Sequence, residues 1–135
     1  MAKESGVGFT LLSVDNAAGA AKAIVNDITS FNLASPRGVM DSTGIDSSAV
    51  ERILLLADFS ITLNGVFNDA TDKSHDVLSD ASSTSVTRTV TVTHSGQTLP
   101  NECIVPDYAL TRSPTGELTW TTTLLLNSTV VPTWA

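Results

Sequence analysis

The stretch SVTRTVTVTH, residues 85–94, alternates almost without a break. Strand side chains point to opposite faces with period 2. Ser85, Thr87, Thr89, Thr91 and Thr93 therefore share one face, and Val86, Arg88, Val90, Val92 and His94 share the other. The valine face reads as core. The threonine face, free of acid, base and aromatic, reads as a half-wet surface.

Threonine sets the character of this half of the chain. Of 19 threonines in 135 residues, 14 lie from Thr84 onward. Threonine is β-branched and suits a pleated, partly solvated surface. Strands are accordingly expected near 84–94, 102–112 and 117–127. The last two are joined at SPTGE (113–117), where Pro114 and Gly116 signal a tight turn. Upstream, ADFSITLNGVF (57–67) places Phe59, Ile61, Leu63 and Phe67 on one face and Asp58, Ser60, Thr62 and Asn64 on the other, with Gly65 marking a bulge. GFTLLSV (8–14) and KAIVNDITSF (22–31) read as a strand and its return around DNAAGA (15–20).

Two segments break the pattern. Residues 32–46, with Pro36, two glycines and short polar residues, read as a long inter-strand loop. Residues 47–55 read as a helix: Ser48 and Glu51 fit a capping box, and Ala49, Val50, Ile53 and Leu54 recur at helical spacing. Leu55 falls off that stripe, so the helix ends there or covers two surfaces. A second, short helix is expected within 68–83. The expected fold is mainly β: one domain over 1–135, an antiparallel sandwich or barrel with a flanking helix and a long loop.

Charge narrows the function. Fourteen acids against seven Lys and Arg give a net charge of −7. Gripping a polyanion requires clustered cations that release counterions, and the seven here are scattered singly. A single cysteine, Cys103, excludes an internal disulfide framework. The opening MAKESGVGFT lacks the apolar core of a signal peptide, and the longest aliphatic run, 53–57, is too short to span a bilayer. The expected site of synthesis and assembly is the cytoplasm, without a membrane partner.

Catalytic patterns are missing. His75 and His94 are the only histidines, and no G-x-S-x-G elbow is present. Asp69, Asp72, His75, Asp76 and Asp80 do not match a calcium-loop spacing. Asp69 or Asp72 is read instead as the cap of a short helix. Cys103 has no basic neighbour in sequence to lower its pKa and reads as a small core residue. Trp120 reads as core, with Thr122 on its side of the strand; Trp134 either anchors the tail or lies loose. The expectation is a non-enzyme without metal or cofactor.

The stretch STGIDSSAVERILLLADFSITLNGVFNDATDKSHDVLS (42–79) resembles the middle of the major tail tube protein of long-tailed bacteriophages. The likeness rests on Asp41 to Asp46, the pair Glu51 and Arg52, the strand from Leu56 to Asn68, and His75 to Val77. SVDNAAGAAKAIVNDITSF (13–31) is similar to that family's first hairpin, and LTWTTTLLL (118–126) to its final strand. The resemblance implies a β-sandwich flanked by a helix. It implies six copies in a ring, sheets joined around a channel, and rings stacked into a tube through which DNA leaves the head. The partners implied are further copies, other tail proteins, and genomic DNA that passes without specific binding. The implied location is the virion tail.

On that resemblance the loop carrying Pro36, Arg37, Gly38, Val39, Met40 and Asp41 becomes a candidate assembly element, ordering between rings. Fixing backbone costs about 1–2 kcal/mol per residue, which would restrain premature polymerisation. Thr87, Thr89, Thr91 and Thr93 become a candidate lumen or outer surface that does not attract phosphate. Thr119, Thr121 and Thr123 form a second such row. Long, neutral strands with few lysines also suit edge pairing with neighbours. The competing reading is a monomeric β-sandwich binding module on a virion or cell surface. It would need a cluster of exposed aromatics or arginines, for which only Phe31, Arg37, Tyr108 and Trp134 are available.

Overall fold

The structure, a computed structural model, describes residues 3–135. Nine strands appear in chain order: β1 (Leu11–Asp15), β2 (Ala21–Ala23), β3 (Ile28–Ala34), β4 (Arg37–Asp41), β5 (Arg52–Ala57), β6 (Ser60–Val66), β7 (Arg88–His94), β8 (Gln97–Arg112) and β9 (Leu118–Leu126). One short helix, α1 (Ser74–Leu78), lies between β6 and β7. Seven strands form one antiparallel sheet in the order β2-β1-β7-β8-β9-β6-β3, and β4 and β5 pair apart from it. The sheet curls until its margins approach: Phe9, just before β1, meets Phe31 on edge strand β3 with ring centroids 5.1 Å apart.

The alternation of the opening stretch holds from Arg88 onward; Val86, expected on the core face, precedes the strand and is exposed. Arg88, Val90 and Val92 are buried, whereas Thr89, Thr91 and Thr93 are half-buried on the opposite face; Thr87 precedes the strand and is exposed. The core gathers Leu12, Val14, Phe59, Ile61, Leu63, Val90, Val92, Trp120 and Leu124, with Val77 and Leu78 of α1 closing over it. Cys103 and Trp120 lie within it as expected. The 113–117 turn is present: Gly116 adopts φ +103°, a conformation L side chains rarely take. Gly65 admits a close approach, since a Cβ there would lie 2.3 Å from the Asp27 carbonyl and 2.5 Å from the Trp120 ring. Beside it the β3–β6 register shifts between Ile28 and Ser30, so the expected irregularity falls on the partner strand.

Three expectations are corrected. Residues 47–55 are not helical: Arg52–Ala57 form β5, and the Glu51 N–H donates to Thr43 Oγ1 at 2.8 Å instead of closing a capping box. Residues 32–46 are not an open loop. Phe31 to Ala34 continue β3, and Arg37–Asp41 form β4, which pairs with β5 through Val39↔Leu54, Met40↔Ile53 and Asp41↔Arg52. Among the described residues the flanking α-helix is therefore α1 alone, and the long insertion is a β-hairpin arm. The return strand 22–31 is split, with a 3₁₀ turn (Val25–Asp27) between β2 and β3.

Candidate assembly surfaces

The arm leaves the body between Pro36 and Asp58. The Asp58 N–H donates to the Pro36 carbonyl (3.0 Å), and Arg37 Nε donates to the Leu55 carbonyl (2.9 Å). Gly38 lies under the Leu55 side chain, where an added Cβ would meet Leu55 Cδ1 at 3.2 Å. At the far end the Asp41 carboxylate accepts the Thr43 N–H (2.9 Å). Thr43, through its hydroxyl and its N–H, holds the exposed Asp41 carboxyl below its ordinary range. All of Arg37 to Asp41 and Arg52 to Leu56 is exposed. The arm thus carries Val39, Met40, Ile53, Leu54, Leu55 and Leu56 into solvent, an apolar patch of the kind that marks an interaction site.

The second surface is the outer face of the main sheet. Rows of short polar side chains cross it from strand to strand. Asn32, Thr62, Thr123 and Asp107 align in one row; Ser30, Asn64, Thr121 and Ala109 align in the next. Thr121 donates to Asn64 Oδ1 (2.9 Å), the Asn64 amide reaches Ser30 Oγ (3.4 Å), and the Thr62 and Thr123 hydroxyls lie 3.3 Å apart. On the β7–β8 side Thr93 faces Thr98 (3.1 Å), Thr91 faces Pro100, and Thr89 donates to Glu102. No lysine or arginine stands in these rows. The threonine rows of β7 and β9 are not neighbours; β8 separates them.

The third feature is a cleft of about 600 Å³ where the curled sheet stays open, walled by Phe9, Leu12, Val25, Ile28 and Phe31, with Glu4 and His94 among its lining residues. Phe9 stacks on His94 at 5.0 Å, and His94 Nε2 lies 3.2 Å from the Ser5 carbonyl. The strand-end reading of His94 fits this structural use. After β9 the chain returns along β8. Asn127 N–H donates to the Glu102 carbonyl (2.9 Å), and Thr98 and Ala135 exchange backbone bonds at 2.8 and 2.9 Å. Trp134 in this tethered tail remains 48% exposed.

The acidic cluster performs structural work. Asp80 pairs with buried Arg88 (2.6 Å), and Asp76 accepts the Asp72 N–H (2.9 Å). The cap of α1 comes from neither Asp69 nor Asp72: Asp27, distant in sequence, accepts the Ser74 N–H (3.0 Å) and the Asn68 amide (2.9 Å). Among the described residues no group of three His, Cys, Asp or Glu could hold a metal ion, and no helix is long and apolar enough to cross a membrane. Burial, with a smaller push from Glu102, raises the Cys103 thiol to about 12, so it is protonated at neutral pH. The four residues a binding module would need lie on different parts of the fold. Phe31 is on β3, Arg37 is in the arm, Trp134 is in the tail, and Tyr108 packs inward against His75 and Trp120.

No protein-family model matches the chain, and comparison with curated proteins finds no match. Solved structures do match. A chain of the tail of an empty gene transfer agent particle, determined with C6 symmetry, superposes with a TM-score of 0.73 at 18% identity, covering 97% of this chain and 99% of that one. The fold is that of a gene transfer agent tail chain. A chain from the virion of a native gene transfer agent particle gives a TM-score of 0.70 at 18% identity over the same shares. The tail-chain fold extends over nearly the whole molecule, so the arm and the returning tail are not additions to a smaller unit. The phage-tail likeness read from residues 42–79 therefore agrees with the fold.

Proposed function

We propose that this chain is a structural subunit of a phage-like tail tube. Copies assemble into hexameric rings that stack around a channel, and DNA leaves through it without specific binding. The subunit is made in the host cytoplasm and resides in the virion tail beside other tail proteins. The observation that carries this reading is the end-to-end match to a chain of a C6-symmetric tail. The surfaces support it. The exposed apolar arm, including the Pro36–Asp41 segment, is the element that docks on neighbouring copies, already formed as a hairpin, and the cation-free hydroxyl face, including Thr89, Thr91 and Thr93, suits a wall past which phosphate slides.

Electron microscopy of the purified chain at rising concentration tests the proposal. Rings and tubes of uniform width are expected, because a head-to-tail contact that does not close gives open filaments. Monomers at every concentration, even when seeded with tail ends, would overturn it in favour of a monomeric binding module.

A further inference from the structure

The chain has seven asparagines, and only Asn64 is followed by glycine. Packing and hydrogen bonding each impose one half of that pair. Gly65 must lack a side chain, because an added Cβ would collide with the Asp27 carbonyl and the Trp120 ring. Asn64 ties neighbouring strands together: its Oδ1 accepts from Thr121 (2.9 Å), its amide donates towards Ser30 Oγ (3.4 Å), and its carbonyl accepts from Thr29 Oγ1 (3.2 Å). The resulting dipeptide is chemically fragile. A glycine nitrogen carries no bulk that hinders attack on the preceding side chain, and glycine gives the backbone freedom to turn back on itself.

We propose that Asn64–Gly65 is a deamidation site that folding shuts and unfolding opens. In the open chain the Gly65 nitrogen gives up its proton to water and attacks Asn64 Cγ. The new C–N bond closes a succinimide, and the Cγ–Nδ2 bond breaks to release ammonia. Water then opens the ring at either carbonyl, leaving aspartate or isoaspartate at position 64. One water is consumed and one ammonia released, and no oxidant or cofactor takes part.

Strand pairing denies the first step. The Leu126 N–H donates to the Phe59 carbonyl (3.0 Å), and the Phe67 N–H donates to the Leu118 carbonyl (3.2 Å). Directly opposed residues of an antiparallel pair exchange bonds at every second position. Gly65, opposite Trp120 and in step with Phe59 and Phe67, therefore commits its N–H to β9. Ring closure also requires Asn64 to leave its extended conformation, in which β3 holds it from the other side. Either product injures the strand. Isoaspartate lengthens the β6 main chain by one methylene beside a glycine that has no spare room, and aspartate removes the donor to Ser30. None of this depends on tube assembly; the site belongs to the single chain.

The purified chain, held at mildly alkaline pH in buffer or in concentrated urea, tests the site. Peptide mass spectrometry reads amide-to-acid conversion at Asn64, and labelling by an isoaspartyl methyltransferase reads the isomer. In urea Asn64 should convert faster than any other asparagine, with isoaspartate as the main product. In buffer its conversion should be at least about tenfold slower, because attack waits on local opening of the sheet. Gly65→Ala, compared in urea because its Cβ has no place in the fold, should slow conversion at Asn64. On dilution from urea, converted chains should collect in the fraction that fails to regain cooperative unfolding. Equal rates in buffer and urea overturn the protection by pairing. Conversion in urea no faster than at the other asparagines, or unaffected by Gly65→Ala, overturns the site itself. Converted chains that refold as well as the parent overturn the injury to β6.

Discussion

Arg88 lies on the valine face of its strand, 1% exposed, with one guanidinium nitrogen donating to the Val77 carbonyl and another 2.6 Å from Asp80. A buried cation is tolerable only while its partners remain. Asp80→Ala leaves the guanidinium buried and unpaired, and is expected to lower unfolding free energy by about 3 kcal/mol, measured by urea titration. Arg88→Met keeps bulk and removes the charge, so it should cost less than Asp80→Ala. The face assignment of Arg88 was legible from period 2 alone. Its partners were not, since the Val77 carbonyl and the Asp80 carboxylate reach it only once α1 docks. The same holds for Asp27: nothing local in VND announces a carboxylate that caps a helix 47 positions away. Local capping rules pointed to Asp69 and Asp72 because they weigh only neighbours in sequence.

β6 and β9 were read correctly, whereas β7 begins at Arg88 and not at 84, and β8 begins at Gln97 and not at 102, because Pro100 reads in sequence as the end of pairing. The arm was misread for a definable reason. Ala49, Val50, Ile53 and Leu54 satisfy helical spacing, yet a short apolar run fits strand and helix equally. The choice was made by β4, whose Val39 and Met40 pair with Leu54 and Ile53. Pro36 and Gly38 had disguised β4 as loop; in fact Pro36 sits at the junction with β3, and Gly38 makes room for Leu55. Because the arm is tied to the body chiefly at its base, replacing residues 37–57 with a short Gly-Ser linker should leave a cooperatively folded body, with a melting temperature within a few degrees of the parent, that no longer assembles. Loss of cooperative unfolding in calorimetry would show that the arm supports the core.

Sheet order was beyond the reach of sequence. Seven strands with similar patterns allow many pairings, and only tertiary packing selects β2-β1-β7-β8-β9-β6-β3. That order decides which polar residues form one surface: Thr121 and Thr123 join Asn64 and Thr62 of β6, while the β7 row lies beyond β8. If this surface lines a channel, added cations there should convert a passive wall into an adhesive one. Tubes of Thr121→Lys/Thr123→Lys chains are expected to retain duplex DNA at about 50 mM salt and release it near 200 mM, since each phosphate contact contributes to the salt slope. Parent tubes should retain none in a filter-binding assay. Equal retention by both would show that cations added to this face do not reach the DNA, which would overturn its role as the channel wall.

β9, ninth in chain order, occupies an interior position in the sheet. β9 alone bridges β8 and β6, so until it emerges from the ribosome the β3–β6 pair has no edge to join. The nascent chain must carry the β3–β6 pair, complete at Val66, unsupported until Leu118–Leu126 emerge, and sequence-distant pairing of this kind is slow. Chains whose β9 has not yet paired are therefore open to misassociation with one another and to capture by folding helpers.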